Sequence, residues 1–213
     1  MQDGNTKLKE HKMNEQEKFW AEEFGNEYLA RNMSNELFAA NTNLFAKIFQ
    51  RTGVLGSVLE LGCNVGMNLR AISSLMPRCK LIGIDINKSA LEVLKNNLSK
   101  VVSYEKSISG ALNLKADFVF TKGVLIHINP ADLEKVYDNL YSCSEKYICI
   151  AEYYNPTPVT VDYRGYSNRL FKRDFCGELM QKYPDLTLID YGFCYHLDSA
   201  FPQDDINWFV LMK

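Results

Sequence analysis

The chain has 213 residues with a formal net charge of -2 at pH 7, and 46% of its residues are hydrophobic while 23% are charged. This balance fits one globular domain with a sizeable core and a short N-terminal extension, and no shift in composition argues for two domains. Lysines and arginines form no block, so the surface that binds phosphate backbones is absent and nucleic acid is not expected as a partner.

The cysteines and the apolar runs indicate a cellular compartment. The six cysteines contain no C-x-x-C pair and no regular spacing, which argues against a zinc site and against a disulfide framework. The first residues are charged, and no later run approaches the roughly 20 apolar residues that span a bilayer. These features predict reduced thiols, no bound metal, no membrane contact and a cytoplasmic location.

The N-terminal segment has the pattern of an amphipathic helix. Its large apolar residues lie at helical spacing: Phe19, Trp20, Phe24, Tyr28 and Leu29. In a chain of this size, such an aromatic face most simply covers a sheet edge or the mouth of a cofactor site. We therefore divide the chain into a helical extension or cofactor lid over residues 1–40 and a main domain over residues 41–213.

The run from Val58 to Gly66 is an apolar strand that ends in a carboxylate, Glu60, and a glycine turn, Gly62 to Gly66. Glycines let the backbone approach a ligand where a side chain would block it. Apolar residues after the turn recur at helical spacing, so the turn joins a buried strand to a helix whose N-terminus faces the ligand. This is the first unit of a doubly wound α/β fold.

Strands and helices continue to alternate through the next ninety residues. Further strands are predicted over 81–85, 101–104, 117–121 and 147–152, with helices starting near 89 and 129. Alternation of this kind predicts a parallel sheet with right-handed crossovers and helices on both faces. The ligand is expected at the C-terminal ends of the strands.

The last third of the chain departs from this pattern. Asn155-Pro156-Thr157-Pro158 breaks it, and a polar and aromatic stretch follows. A helix over 175–182 and two final strands over 186–191 and 207–213 complete the chain, and two strands without a helix between them predict an antiparallel closing pair. The predicted fold is a Rossmann-like, seven-stranded, mostly parallel sheet with an antiparallel closing strand.

Two acids indicate the kind of cofactor. Asp85 ends the second strand and follows Gly62 by close to the ~20 residues expected for a carboxylate that binds ribose hydroxyls, although it also suits a helix N-cap. Glu60, beside the turn, would repel a pyrophosphate but suits an amino group or a sulfonium, unless it is a buried acid paired for structure. The turn also lacks the G-x-G-x-x-G spacing of dinucleotide sites.

The turn resembles the first motif of the class I S-adenosylmethionine-dependent methyltransferases, with Asn64 in place of the middle glycine. The resemblance implies S-adenosylmethionine as cofactor, with Asp85 on its ribose and the segment Thr121 to His127 beside its methionine part. In place of the acid that often binds adenine in this family, the chain has Ser107. The implied cofactor residues are Glu60, Gly62, Asn64, Gly66, Met67, Asn68, Asp85, Ile86, Ser107, Ile108, Lys122 and Gly123. Tyr28 and Arg31, in the N-terminal segment, are further candidates that would close over the cofactor and pair with its carboxylate, and a surface salt bridge is the alternative.

A closer resemblance is to methyltransferases associated with the biosynthesis of pseudaminic acid and related nonulosonic acid sugars. The segments that carry it are 15–25 with Tyr28 and residues 31–32, then 151–158, 163–165, 170–175 and 201–209. They span nearly the whole chain after its first dozen residues. The resemblance implies an acceptor derived from a sugar.

Methyl transfer to a sugar hydroxyl needs a general base worth on the order of 10²–10⁴ in rate, whereas an amine or amidine needs only to be deprotonated. His127 is the first candidate for this base, unless it only bonds the backbone at a helix start. Glu152, at the end of the fifth strand, is a second catalytic candidate that would orient the acceptor.

The candidate acceptor-binding residues supply rings, hydrogen bonds and guanidinium groups, which suit an anionic sugar. They are Tyr153, Tyr154, Asn155, Arg164, Arg169, Arg173, Tyr195 and His196. The arginines equally suit a solvated surface, and Tyr195 and His196 equally suit local packing.

The leading hypothesis is therefore a methyltransferase acting on a small, sugar-derived acceptor. The alternatives are a non-catalytic S-adenosylmethionine-binding partner subunit in a sugar-modification complex and a methyltransferase for another small molecule. Glu60 and the closing strand pair disfavour a nicotinamide oxidoreductase, and no basic face supports an RNA or protein substrate.

Overall fold

The computed structural model describes residues 13–21, 34–163 and 166–213. The described strands are β1 (Ser57–Leu61), β2 (Lys80–Asp85), β3 (Val102–Glu105), β4 (Ala116–Lys122), β5 (Ser144–Glu152), β6 (Val159–Tyr163), β7 (Tyr166–Lys172), β8 (Thr187–Cys194) and β9 (Ile206–Met212). The described α-helices are α1 (Glu15–Ala21), α2 (Asn35–Thr52), α3 (Met67–Leu75), α4 (Lys88–Asn97), α5 (Leu133–Cys143) and α6 (Phe175–Lys182). Short 3₁₀ turns cover Leu125–His127 and Pro130–Asp132.

A seven-stranded sheet forms the centre of the fold, in the order β3-β2-β1-β4-β5-β9-β8. The strands from β3 to β5 pair in parallel, while β9 is antiparallel to both of its neighbours, β5 and β8. The predicted Rossmann-like sheet with an antiparallel closing strand is confirmed. Parallel strands bring their C-terminal ends to one edge, and this edge carries the candidate site.

Side chains alternate between the two faces of the central strand β4, and both faces are buried. Phe118 and Phe120 face α2, where their rings lie 5.6 Å from Phe49 and 5.1 Å from Phe45, respectively. Val119, between them, packs in the opposite core with residues of α5 and α6. A strand buried on both faces reads as a continuous apolar run, which is why β4 was predictable without an alternating pattern.

Helix α2 begins at an N-cap, Ser34, whose hydroxyl accepts a hydrogen bond of 3.0 Å from the Leu37 N–H. Its 18 residues run through position 40, so the predicted division between extension and main domain lies inside this helix. Beyond α1, the remaining apolar residues assigned to the amphipathic N-terminal helix, Phe24, Tyr28 and Leu29, lie outside the described residues. None of the described helices is long and apolar enough to cross a membrane.

The stretch that the sequence predicted as irregular contains a two-stranded antiparallel hairpin, β6–β7. Val159 and Val161 favour a strand because they are β-branched, but the preceding Pro-Thr-Pro run hides this short signal. Leu170, on β7, is buried in the same apolar core as Leu125 and Ile126. The hairpin therefore packs against the 3₁₀ turn that carries His127.

The glycine turn after β1 adopts left-handed backbone angles at Gly62 (φ 81°), Asn64 (φ 46°) and Gly66 (φ 79°). Asn is the non-glycine residue that tolerates this region most readily, which explains how Asn64 replaces the middle glycine of the motif. The N–H of Gly62 donates to the Ile84 carbonyl oxygen at 2.8 Å, so the turn is joined to β2.

We expect Gly62→Ala to destabilise the protein more than Gly123→Ala. Both glycines have positive φ, which costs an alanine about 1–2 kcal/mol. A Cβ at Gly123 meets nothing within 4 Å, whereas at Gly62 it would lie 2.6 Å and 2.7 Å from the two γ-carbons of Val124, an overlap that adds about 1–3 kcal/mol. Urea unfolding of both variants measures the difference, and equal losses of stability would contradict the account.

Candidate active site

A cavity of about 730 Å³ opens at the C-terminal edge of the parallel strands. Its walls come from the glycine turn, the loops after β2, β3 and β4, the segment between β8 and β9, and helix α1. The predicted cofactor residues that line it are Gly62, Asn64, Met67, Asn68, Asp85, Ile86, Ser107, Ile108, Lys122 and Gly123. Glu60 and Gly66 lie behind this wall, and Tyr28 and Arg31 lie outside the described residues.

Asp85 faces the cavity, and its carboxylate is held by the backbone. One oxygen, Oδ2, accepts a hydrogen bond from the Asn64 N–H at 2.7 Å, and Oδ1 accepts one from the Asn87 N–H at 2.8 Å. Burial raises the pKa of the Asp85 carboxyl, while these N–H groups act in the opposite direction. Asp85 is thus a fixed acceptor beside the turn, as a ribose hydroxyl requires.

Glu60 is fully buried directly behind the turn. Its Oε1 accepts a hydrogen bond of 2.6 Å from Asn68 Nδ2. Burial raises the pKa of Glu60 to about 8, although the Asn68 amide and the Lys122 charge both lower it. The neutral form therefore predominates at pH 7, and a nearby cation would favour ionisation.

Three buried oxygens of this region have no hydrogen-bond partner among the described residues: Glu60 Oε2, Asn64 Oδ1 and Asn68 Oδ1. An unsatisfied buried acceptor costs roughly 1–3 kcal/mol, so a group of them indicates a ligand that donates hydrogen bonds. An amino group has several donors and a positive charge. These residues therefore fit the amino acid part of S-adenosylmethionine.

Lys122, at the end of β4, lines the same cavity. Burial lowers the pKa of its ammonium group, and the charges of Asp204, Glu60 and Glu152 raise it again. The amino acid part of the cofactor carries a carboxylate as well as an amino group. Lys122 thus brings a basic group near the acceptors around Glu60, which fits such a carboxylate.

His127, the first candidate for a general base, lines the cavity. Its ring centroid lies 4.4 Å from the Trp20 ring of α1, at an interplanar angle of 49°. Its carbonyl oxygen accepts a hydrogen bond of 2.7 Å from Gln16 Nε2. The histidine is thus held from one side by α1 and placed with its ring at the cavity wall.

Glu152, the second predicted catalytic residue, does not line the cavity and is 2% exposed. Its Oε1 accepts hydrogen bonds from the N–H groups of Val124 (2.8 Å) and Leu125 (2.9 Å). Burial raises the pKa of Glu152 to about 7, against the lowering effect of these N–H groups. The Glu152 carboxylate points toward the backbone because the start of the 3₁₀ turn has N–H groups without partners inside the turn. Glu152 therefore positions the turn that ends at His127.

Two predicted acceptor residues, Tyr153 and His196, line the cavity. The described ones that do not are Tyr154, Asn155, Arg173 and Tyr195. Arg173 instead forms an ion pair with Glu178 at 2.6 Å, and Asn155 bonds the Thr157 carbonyl oxygen within its own turn. Arg164 and the side chain of Arg169 lie outside the described residues.

His196 is paired with an acid. Its Nδ1 lies 2.8 Å from Asp205 Oδ1, and its backbone N–H donates to the same oxygen at 3.1 Å. Both residues belong to the segment between β8 and β9, which also brings Gln203 and Asp204 to the cavity. The Gln203 side-chain amide donates a hydrogen bond of 2.9 Å to the Ala40 carbonyl oxygen. Gln203 Oε1 is buried and has no hydrogen-bond partner among the described residues.

Sequence reasoning missed the cavity residues of α1 and of the segment between β8 and β9. They are Asn14, Gln16, Glu17, Trp20, Gln203 and Asp204. Most of them lie in the segments 15–25 and 201–209 that carry the sugar-methyltransferase resemblance. Those segments were the available signal, but nothing local showed which of their side chains point inward.

Part of the chain is similar to a known protein family. Residues 59–145 match the family model described as a methyltransferase domain. A search of curated proteins finds no significant match. The matched residues include the glycine turn, Asp85 and the loop after β4, so this part of the chain is similar to a methyltransferase domain.

Solved structures share the fold at low sequence identity. Magnesium protoporphyrin IX methyltransferase from Synechocystis PCC 6803, with bound S-adenosylmethionine, is 10% identical with a TM-score of 0.69 over 95% of this chain and 99% of that one. The 1,6-didemethyltoxoflavin-N1-methyltransferase of Burkholderia thailandensis is 13% identical with a TM-score of 0.70 over 89% and 85%. An S-adenosylmethionine-dependent methyltransferase from Clostridium acetobutylicum ATCC 824 is 13% identical with a TM-score of 0.63 over 89% and 97%.

Binding of S-adenosylhomocysteine is expected to release a proton from Glu60 at pH 7. The ligand's ammonium group favours the ionised carboxylate, whereas the pKa of about 8 keeps the ligand-free group mainly protonated. Affinity should therefore rise with pH from 6 to 8. Calorimetry in two buffers of different ionisation enthalpy measures the released proton, and Glu60→Gln should abolish the release and weaken binding about tenfold.

Thermal unfolding of the ligand-free Glu60→Gln variant is the control for misfolding. The pKa of Glu60 is 4.5 in the unfolded chain and about 8 in the folded chain, so wild-type stability falls as pH rises through this range. The variant lacks this loss and should gain stability relative to the wild type between pH 5 and pH 8. Proton release that is equal in both proteins would show that Glu60 does not face the ligand.

Proposed function

We propose that the protein transfers a methyl group from S-adenosylmethionine to a small, sugar-derived acceptor, at a hydroxyl or at an amine or amidine nitrogen. The observation that carries the methyl-transfer part is the group of buried acceptors around Glu60 beside the fixed carboxylate of Asp85. Together they match a ligand with an amino group at one end and a ribose at the other.

The acceptor is inferred from the chemistry of the other residues that line the cavity. They include Tyr153, His127, His196, Gln203 and Asp204, which supply a ring face and hydrogen-bond donors and acceptors. A polyhydroxylated molecule needs many hydrogen bonds of this kind and a ring to stack on. The structures similar to this fold are named for acceptors as different as a porphyrin and a toxoflavin precursor, and both are small molecules.

When bound, S-adenosylmethionine supplies an electrophilic methyl group on a sulfonium. The residues of this chain hold the two reactants: Asp85 and Lys122 line the cofactor end, Glu60 lies behind it, and side chains of α1 and of the β6–β7 hairpin form part of the cavity wall. Positioning of this kind supplies roughly 7–11 kcal/mol of a barrier. His127 takes the proton of an acceptor hydroxyl, and Glu152 keeps the backbone before it in place.

A second candidate function is binding of the cofactor without catalysis, as a partner subunit in a sugar-modification complex. The observation that favours it is the ion pair of Arg173 with Glu178, which removes one of the guanidinium groups predicted to bind an anionic sugar. Turnover on an identified acceptor separates the two functions.

Calorimetry is expected to show binding of S-adenosylmethionine and S-adenosylhomocysteine but not of NAD. The buried oxygens around Glu60 that have no partner among the described residues can accept hydrogen bonds from an ammonium group, whereas an ionised pyrophosphate has no donor to offer them. Incubation with labelled S-adenosylmethionine and fractionated sugar-pathway metabolites should then yield a labelled product that mass spectrometry identifies. Equal binding of NAD would refute the cofactor assignment, and binding without any labelled product would favour the non-catalytic function.

Kinetic measurements over a range of pH should distinguish the roles of the two cavity histidines, His127 and His196. If the acceptor is a hydroxyl, His127→Gln should lower kcat about 10²- to 10⁴-fold and remove the rise of kcat with pH that deprotonation of a base produces. His196→Gln should chiefly raise KM, because His196 contacts the acceptor from the rim. The opposite result would make the pair of His196 and Asp205 the base. Unchanged affinity for S-adenosylhomocysteine in both variants is the control.

A further inference from the structure

Helix α1 brings a carboxylate to the loop after β3. Glu17 Oε1 accepts a hydrogen bond of 2.8 Å from Ser109 Oγ and a second one from Ser107 Oγ, and all three residues line the cavity. The hydroxyls of Ser107 and Ser109 also lie within 2.9 Å of each other. Two loop hydroxyls thus converge on one oxygen of an acid that belongs to a different part of the chain.

The orientation of Glu17 is fixed from its own helix as well. Its Oε2 accepts a hydrogen bond of 2.8 Å from the Asn14 N–H, and its own N–H donates 2.8 Å to Asn14 Oδ1. Such a reciprocal pair is a capping box at the start of a helix. The side chain therefore holds one position rather than sampling the solvent.

The order of the strands places this carboxylate relative to a bound nucleoside. The glycine turn follows β1, Asp85 ends β2, and Ser107 follows β3, and these three strands are neighbours in the sheet. A nucleoside whose ribose lies at Asp85, and whose remaining part extends to the turn after β1, directs its base toward the loop after β3. Ile86 and Ile108 line the cavity there and supply apolar surface for the faces of a flat ring.

We propose that Glu17 reads the edge of the adenine base by accepting a hydrogen bond from its exocyclic amino group. This inference rests on the proposed function, since it requires S-adenosylmethionine in the cavity. An ionised carboxylate only accepts hydrogen bonds, so it attracts an amino group and repels a carbonyl oxygen at the same position. The serine hydroxyls donate to Glu17 and hold it, so the loop positions an acid that the helix supplies.

Three other hydrogen bonds attach α1 to the rest of the site, so the side chain of Glu17 is not needed to hold the helix in place. Gln16 Nε2 donates a hydrogen bond of 2.7 Å to the His127 carbonyl oxygen, and Asn14 Nδ2 donates one of 2.8 Å to Asp132 Oδ2. Asn87 Nδ2 donates a hydrogen bond of 3.2 Å to the Trp20 carbonyl oxygen. These three bonds reach three different parts of the cavity rim. A substitution at Glu17 leaves each of them intact.

The test compares S-adenosylhomocysteine with S-inosylhomocysteine, in which a carbonyl replaces the adenine amino group. Calorimetry gives the ratio of the two dissociation constants for the wild type, for Glu17→Gln and for Glu15→Gln, a matched change at an exposed position of the same helix. The wild type and Glu15→Gln should prefer S-adenosylhomocysteine about 10- to 100-fold, the effect of a hydrogen bond to a charged group. Glu17→Gln should reduce this preference to about threefold or less, because an amide also donates.

The ratio separates recognition from a structural role. If Glu17 only fastens α1, its replacement weakens both ligands by the same factor and leaves the ratio unchanged, and that result would overturn the proposal while the proposed function stands. Failure of the wild type to bind S-adenosylhomocysteine would overturn both. The double substitution Ser107→Ala with Ser109→Ala keeps the carboxylate but removes the hydroxyls that orient it, and it should lower the preference as well.

Discussion

The carboxylate of Asp85 accepts hydrogen bonds from the N–H groups of Asn64 and Asn87, and the rest of the site is arranged around this pair of contacts. The bonds join the turn after β1 to the loop after β2, so two neighbouring strand ends hold one shape. Asn64 tolerates the left-handed backbone angle that aims its N–H at the acid. A cofactor therefore meets a preformed surface, which lowers the entropy that binding must overcome.

Two further acids are buried at this edge of the sheet, and each opposes stability for a local reason. Each retains one buried oxygen without a hydrogen-bond partner among the described residues, and the other oxygen of Glu152 accepts hydrogen bonds from the backbone before His127. An apolar residue at either position would pack at lower electrostatic cost. The two acids are explained if Glu60 helps to hold a ligand and Glu152 holds the loop before His127 in one geometry.

The sheet and the cofactor end were predictable because each depends on local sequence. Buried strands ending in Glu60 and Asp85, separated by one helix, fix the parallel pairing and bring both acids to one edge. The role of Glu152 was not predictable, since its position at a strand end does not show whether the carboxylate turns to the cavity or to the N–H groups of Val124 and Leu125. The hairpin β6–β7 was missed because Val159 and Val161 are too few to outweigh the prolines before them.

The contribution of α1 depends on contacts across more than ninety residues of sequence, and no local pattern reports these. Glu17 and Trp20 stand three residues apart, on one turn of the helix, yet the first contacts the loop after β3 and the second the ring of His127. A rigid helical turn transmits a displacement from one contact to the other. The proposed base-reading end and the proposed proton-accepting end of the cavity are therefore joined by one helical turn, and we expect a displacement at one end to reach the other.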